Sequence, residues 1–256
     1  VASGIVIFGI IGFFIYVIIT IMRQKKIDEM KTDFINNMTH ELKTPISTIS
    51  LSSNVINNKD IIDQPERLQH YAKIINQENE RLKTQVERVL QLALFEEKNF
   101  GLNFQTVSIS DLLKKVLIPY ELLLEDKKGS YTIEGDTLFA EVDEHHFCNA
   151  ISNLIDNAIK YCQEGGPNIK IRIKNLEKTF SIEVVDNGIG MEKEEIKNIF
   201  KKFYRAPTGN IHNVKGFGIG LSYVDQIVKM HSGSIRVSSK KNKGTTFELI
   251  VPKKQN

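Results

Sequence analysis

Apolar and polar positions change rhythm along this chain, and each rhythm predicts a different kind of element. From Gly4 to Met22 no residue is charged, and about 20 apolar residues rising ~1.5 Å each match a bilayer core of roughly 30 Å. A helical period follows: Ile27, Met30, Phe34, Met38 and Leu42 fall on one stripe of a helix turning about 100° per residue. The polar run Asn57-Asn58-Lys59-Asp60 should end that helix, and a second is expected from about Pro65 to Glu97. Its seam of Leu68, Ala72, Ile75, Asn79, Leu82, Val86, Val89 and Ala93 alternates four and three apart, the spacing of a coiled-coil or bundle face. Two helices cannot bury such stripes alone. An antiparallel hairpin that pairs with a second copy into a four-helix bundle is therefore expected, with packing against the rest of the same chain as the alternative.

Beyond Gly101 the pattern shortens into alternating, β-rich runs broken by helices, as in an α+β domain. Strands are predicted over Phe104 to Ile109, Ser130 to Ile133, Leu138 to Val142, Ile169 to Lys174, Phe180 to Asp186, Gly233 to Ser238 and Thr245 to Val251. Helices are predicted over Ser110 to Glu125, Asp143 to Tyr161 and Ile219 to His231. The stretch from Asn187 to Lys215 carries Gly188, Gly190, Pro207 and Gly209, and reads as a long mobile loop with a helical piece near Glu192. Loops of that length are usually functional lids.

Composition changes this picture at the first residues. Arg23, Lys25 and Lys26 directly follow the apolar run, so the positive-inside tendency puts everything after Met22 in the cytosol. A signal peptide fits less well, because the run is long, its basic flank is on the wrong side and no cleavage site is evident. The chain starts at Val, and is read as the C-terminal part of a longer protein with an extracytoplasmic portion. The net charge of +3 comes from interleaved signs without a basic, aromatic-spaced stripe, which disfavours nucleic-acid binding. Cys148 and Cys162, the second directly after the predicted end at Tyr161, lie on what looks like one helix, about 21 Å apart and out of disulfide reach, which suits a reducing cytosol. The histidines show no metal-ligand spacing with them.

Candidate chemistry begins at His40, in the run Met38-Thr39-His40-Glu41-Leu42-Lys43-Thr44-Pro45. On the helical wheel His40 points away from the apolar stripe, where a neutral imidazole is a competent nucleophile. Pro45 lacks an N–H and crowds the carbonyl of Glu41, so a bend is expected just after the histidine. Taken alone, a solvated histidine beside a helix bend is an adequate reading. Further signals lie downstream. Asn149, Asn153 and Asn157 recur every four residues and align three amides on one helix face. Such a stripe is either a solvated face or a set of ligands for nucleotide-borne Mg²⁺, which takes its other ligands from water and phosphate. Asp186-Asn187-Gly188-Ile189-Gly190 ends a strand with a carboxylate able to accept from an adenine amino group, and its glycines let a ligand approach the backbone. A plain strand-end turn is the alternative. Gly216-Phe217-Gly218-Ile219-Gly220-Leu221 opens a helix, whose free N–H groups suit polyphosphate. A flexible hinge is the competing reading there. Between them, Ile199-Phe200-Lys201-Lys202-Phe203-Tyr204-Arg205 carries aromatics that core packing alone could explain.

In this order the signals resemble the sensor histidine kinase family over essentially everything from Arg23 onward. The phosphoacceptor motif stands from His40 to Pro45, the N box at Asn149, Asn153 and Asn157, the first glycine motif at Asp186, Gly188 and Gly190. The F box is carried by Phe200 and Phe203, the second glycine motif by Gly216, Gly218 and Gly220. With the transmembrane helix expected over 1–22, the resemblance implies a dimeric all-α phosphotransfer hairpin over 23–98 and a two-layer α+β, Bergerat-type ATP-binding domain over 99–256. It implies ATP with its adenine on Asp186, phosphates near Lys160 and the Gly216 loop, and Mg²⁺ on Asn157 with Asn153 supporting. It extends the ATP site to Tyr161, Leu221 and Thr245. His40 would attack in line, Glu41 would orient its imidazole, and Thr44 would position water for the reverse, dephosphorylating step. The implied partners are a second copy of the chain and a response-regulator receiver domain, at the cytoplasmic (inner) membrane. ATPases that share this fold carry a glutamate at the position of Asn153, and an amide cannot act as that base. An ATP-hydrolysing clamp is thereby disfavoured, and the completeness of the motifs weighs against a pseudokinase scaffold.

Overall fold

The computed structural model describes residues 2–58, 61, 63–94, 101–205 and 218–254. By internal contacts the chain divides into two compact units, Val1–Glu87 and Arg88–Asn256.

The first unit holds α1 (Ala2–Ile56) and most of α2 (Pro65–Leu94). The apolar run, His40 and Pro45 all lie on α1, which continues through the proline. The run contains an 18-residue window of mean hydropathy 2.0, long and apolar enough to cross a membrane. Thr39, Thr44 and Thr48 each donate their hydroxyl to the carbonyl four residues back, which satisfies polar groups that would otherwise compete with the helix. Met30, Phe34, Met38 and Leu42 of the expected stripe are half-buried, whereas Ile27 is exposed. On α2 the sheltered positions are Tyr71, Ile74, Ile75, Glu78, Arg81, Leu82 and the buried Gln85. The expected seam runs beside them: among its described positions Leu68, Ala72, Asn79 and Val86 are exposed, and Ile75 and Leu82 are half-buried.

The second unit holds a five-stranded sheet in the order β2-β4-β5-β7-β6, built from β2 (Ser130–Gly135), β4 (Asn168–Asn175), β5 (Thr179–Asp186), β6 (Ser234–Ser239) and β7 (Thr245–Pro252). The β2–β4 pair is parallel and the others antiparallel. A separate antiparallel pair joins β1 (Gln105–Ser108) to β3 (Phe139–Val142). Strand alternation explains the single covered face. Ile169, Ile171 and Ile173 of β4, Phe180, Ile182 and Val184 of β5, and Phe247, Leu249 and Val251 of β7 are all buried. On the other face Arg172 bridges Glu134 and Glu183, which also pairs with Lys174.

Against the buried face lie α3 (Ile109–Leu117), α5 (Glu144–Lys160) and α7 (Gly220–Met230). The α5 core positions Phe147, Ala150, Ile151, Leu154, Ile155, Ala158 and Ile159 follow the three–four spacing of an amphipathic helix. Full burial of each large side chain stabilises by roughly 1.5–3 kcal/mol. Asp143 caps α5 by accepting from the His146 N–H at 3.0 Å.

Two boundaries differ from the sequence pattern. The helix expected from Ser110 to Glu125 is broken: α3 stops at Leu117, a 3-10 turn covers Ile118–Tyr120, and α4 (Glu121–Asp126) follows. Pro119 is the cause, since it supplies no N–H to the preceding turn. Helix α5 ends at Lys160, so Cys162 leaves it and bridges Gly188 instead of sharing the helix with Cys148; both thiols are free. The helical piece near Glu192 is α6 (Lys193–Ile196), opened by a capping box between Glu192 and Glu195.

Candidate active site

His40 is exposed on α1, and one turn on, Thr44 Oγ1 donates to the His40 carbonyl at 3.3 Å. Glu41 is half-buried and Pro45 buried, so the proline and the sheltered stripe hold one side of the helix while the imidazole stands on the other. These residues belong to the first unit.

In the second unit the ends of α5, β5 and β7 converge. Asp186 closes β5, and its Oδ1 accepts from the Gly188 N–H at 2.8 Å and the Thr245 N–H at 3.0 Å. Both bonds fall on one oxygen, so Oδ2 is the atom available to a ligand donor. Burial pushes the Asp186 carboxyl above its ordinary range, and the two backbone N–H groups work against that rise. Gly188 is buried, and a Cβ there would stand 2.6 Å from the Tyr161 carbonyl, so only glycine fits. The same carbonyl accepts from the Ile189 N–H at 2.9 Å, which ties the end of α5 to the first glycine turn. Gly190, at φ +62°, lies beneath the carbonyl of Lys240, a combination that a side chain would not tolerate.

The amide-bearing helix meets the second glycine motif directly. A Cβ on Gly220 would stand 2.6 Å from Asn153 Oδ1, so only glycine lets α7 start this close to the amide. Asn153 Nδ2 donates to the Asn149 carbonyl at 2.8 Å, which fixes the direction of Oδ1. Asn157 is half-buried one turn further along, and the Lys160 Nζ lies 5.2 Å over the Tyr161 ring. Gly218 packs on the backbone of Phe203 and Tyr204, and Phe203 itself holds a left-handed φ of +64°. A bulky residue there is a true outlier. Phe200 and Leu221 pack against the core. Gly216 lies outside the described residues.

The expected residues are thus brought together in pairs: Asn153 with Gly220, Tyr161 with Gly188, Asp186 with Thr245, and Phe203 with Gly218. Sequence reasoning missed Gly244 and Ser239. A Cβ on Gly244 would collide with the Asp186 backbone, and Ser239 Oγ accepts from the Met191 N–H while hydrogen-bonding the Thr245 hydroxyl. The turn run Lys240-Lys241-Asn242-Lys243-Gly244 between two strands was the available signal. Among the described residues no group of three or more His, Cys, Asp or Glu could hold a metal ion. The amide oxygen of Asn157 is instead a single hard donor, which fits an ion that brings phosphate and water ligands with it.

Residues 30–98 match the family model of the His Kinase A (phospho-acceptor) domain, and residues 142–255 that of the histidine kinase-, DNA gyrase B-, and HSP90-like ATPase. Sensor protein RprX of Bacteroides fragilis is 43% identical over 246 residues, covering 95% of this chain and 47% of that protein. Sensor histidine kinase WalK of Bacillus subtilis is 29% identical over 254 residues, 96% of this chain and 41% of that protein. The chain therefore spans under half the length of these curated relatives. Among solved structures, histidine kinase ThkA in complex with response regulator protein TrrA shares the fold at a TM-score of 0.56 and 24% identity, over 86% of this chain and 61% of that one. With both domain matches in family order, the chain belongs to the sensor histidine kinases of two-component systems.

Proposed function

We propose that this chain transfers the γ-phosphoryl group of ATP to His40 and from there to an aspartate of a response-regulator receiver domain. The observation that carries this reading is the meeting of Asn153 with Gly220 beside a braced Asp186, a nucleotide cradle, in the same chain as an exposed histidine followed by Glu41, Thr44 and Pro45. Asp186 Oδ2 accepts from the adenine amino group, and Lys160, Leu221 and the glycine turns line the phosphate path. Asn157 would hold Mg²⁺, with Asn153 in support. When bound, that ion neutralises charge on the phosphates. Asn153 offers no base to activate water, so the phosphoryl group waits for His40. Glu41 orients the imidazole, and catalysis is mostly positioning.

The response-regulator partner is supported by the complex in which ThkA was solved. A homodimer is supported by the exposed seam of α2 beside its sheltered face, together with exposed Ile35 and Ile46 on α1. Those stripes suit a second copy completing a four-helix bundle. The division 1–22, 23–98 and 99–256 follows, with the first segment crossing the membrane and the rest in the cytoplasm. Thr44, one turn from the histidine, positions water for dephosphorylation of the regulator.

Incubation of the chain with γ-labelled ATP and Mg²⁺ tests the reading. Acid-labile, base-stable label is expected on the wild type and none on His40→Gln; label persisting in that variant, or absent from the wild type, overturns the proposal.

A further inference from the structure

At one end of the five-stranded sheet the covered face turns polar on three neighbouring strands at once. Strand alternation carries the apolar rows Ile182 and Val184 of β5, Leu249 and Phe247 of β7, and Ile235 and Val237 of β6 onward to Asp186, Thr245 and Ser239. The register sets Ser239 opposite Thr245, and the Thr245 N–H reaches Asp186 Oδ1 at 3.0 Å. Thr245 is only 7% exposed, so its hydroxyl is satisfied by protein rather than by bulk water.

Ser239 Oγ stands where three segments meet. It lies 2.8 Å from the Met191 N–H of the first glycine turn, 3.0 Å from the Gly244 carbonyl and 2.9 Å from Thr245 Oγ1. A hydroxyl has one proton to give and two lone pairs to receive with. The Gly244 carbonyl can only accept, so the serine proton goes there. The Met191 N–H occupies one lone pair, and the other faces Thr245. All three bonds form together only when Thr245 is the donor to Ser239.

Resting on the nucleotide-site reading above, we propose that Ser239 is a positioning residue that holds the Thr245 hydroxyl proton away from Asp186, so that the carboxylate stays free to take the amino group of the nucleotide base.

The competing destination for that proton is close by. The Asp186 carboxylate already accepts the backbone N–H of the same threonine, and Gly188 N–H shares that oxygen. An ionised carboxylate only accepts, and a hydroxyl hydrogen rotates to whichever acceptor is offered. Without Ser239 the Thr245 proton turns to Asp186 and competes there with the base. Charge-assisted hydrogen bonds are the stronger kind, so this competition is effective.

The test compares two ligands on the full chain in detergent micelles with Mg²⁺: ATP, and purine riboside triphosphate, which lacks only the amino group. The ratio of their affinities reads what the amino group is worth. Ser239→Ala is expected to narrow that ratio about fivefold, the worth of one buried hydrogen bond. Ser239→Thr keeps a hydroxyl and is expected to keep the wild-type ratio. The double variant Ser239→Ala/Thr245→Val has no hydroxyl left to compete, while valine retains the backbone N–H that braces Asp186; it is expected to regain the ratio. Its melting temperature should nevertheless stay below wild type, because the Met191 N–H and the Gly244 carbonyl still lack their partner. A merely structural role for Ser239 predicts the opposite, no recovery from a second substitution. If Ser239→Ala does not fold, Ser239→Cys fills the same place with a weak acceptor and is expected to narrow the ratio in the same direction. An unchanged ratio in the folded Ala or Cys variant, or a double variant that stays low, overturns the proposal. A wild type that binds neither nucleotide, or both equally, overturns instead the reading of Asp186 as the base-binding carboxylate.

Discussion

The two units solve opposite problems. In the first unit the proposed phosphoacceptor, His40, is exposed, and Thr44 on the same helix donates to its carbonyl while Pro45 is buried one turn on. In the second unit the described site residues brace one another. Asp186 is fixed by residues 2 and 59 positions away, and Asn153 is shaped by a glycine on another helix. A nucleophile that, as proposed, visits two partners would gain from exposure, whereas a nucleotide cradle gains from a rigid, crowded backbone. The contrast says where each half can be damaged.

Gly220→Ala should have the largest effect. The added methyl would stand 2.6 Å from Asn153 Oδ1, so ATP binding should fall more than about tenfold while His40 stays chemically intact. Mixing it with His40→Gln chains isolates the two faults: label reappearing on mixed dimers would show that one chain's cradle serves the other's histidine. Labelling by Gly220→Ala alone at the wild-type rate would break the comparison. Phe147→Ala comes next. Its ring is fully buried among Phe180, His231 and the sheet, so calorimetry should show the ATP-binding unit destabilised by about 3–5 kcal/mol. An unchanged transition would mean that the core does not hold the cradle.

Acid should separate the units more gently. His231 is completely buried, its Nδ1 donates to the Ile227 carbonyl at 2.8 Å, and its Nε2 accepts the Asp143 N–H at 3.0 Å. Burial holds its pKa below the ordinary 6.5. The unfolded chain therefore binds the proton first as pH falls, and stability present above about pH 6.5 is lost between there and the lower folded-state value. Protonation sets two donors against each other at the start of α5, worth about 1–3 kcal/mol. Melting curves at pH 7.5 and pH 5 should show the loss in wild type and a smaller one in His231→Gln; equal losses would refute the assignment. Thr44→Ala should be the mildest. An exposed hydroxyl costs under about 0.5 kcal/mol of stability, autophosphorylation should persist, and dephosphorylation of the partner regulator should slow. Equal loss of both activities would refute that division of labour.

The same contrast governs what could be read from the sequence. Local rules were enough for the strands, because Ile169, Ile171 and Ile173 alternate and Phe180, Ile182 and Val184 do likewise. They were enough for His40 as an outward residue. The break at Pro119 was also written in the chain, and amphipathic spacing across it concealed the break. What could not be read were contacts between segments far apart in sequence. Periodicity does not announce that Gly244 meets Asp186, or that Tyr223 on α7 meets His146 on α5. The parallel pairing of β2 with β4, at the edge of an otherwise antiparallel sheet, is of the same kind.

Helix α1 has one further consequence. It is unbroken from Ala2 to Ile56, and Met22 and His40 lie on it 18 residues apart, about five whole turns and ~27 Å of rise. The two residues therefore share an azimuth. A twist or a push applied at Met22 would reach His40 along an unbroken helix, with Pro45 coming only afterwards. On the proposed reading the histidine would be the pointer on a shaft whose other end is set at the apolar segment.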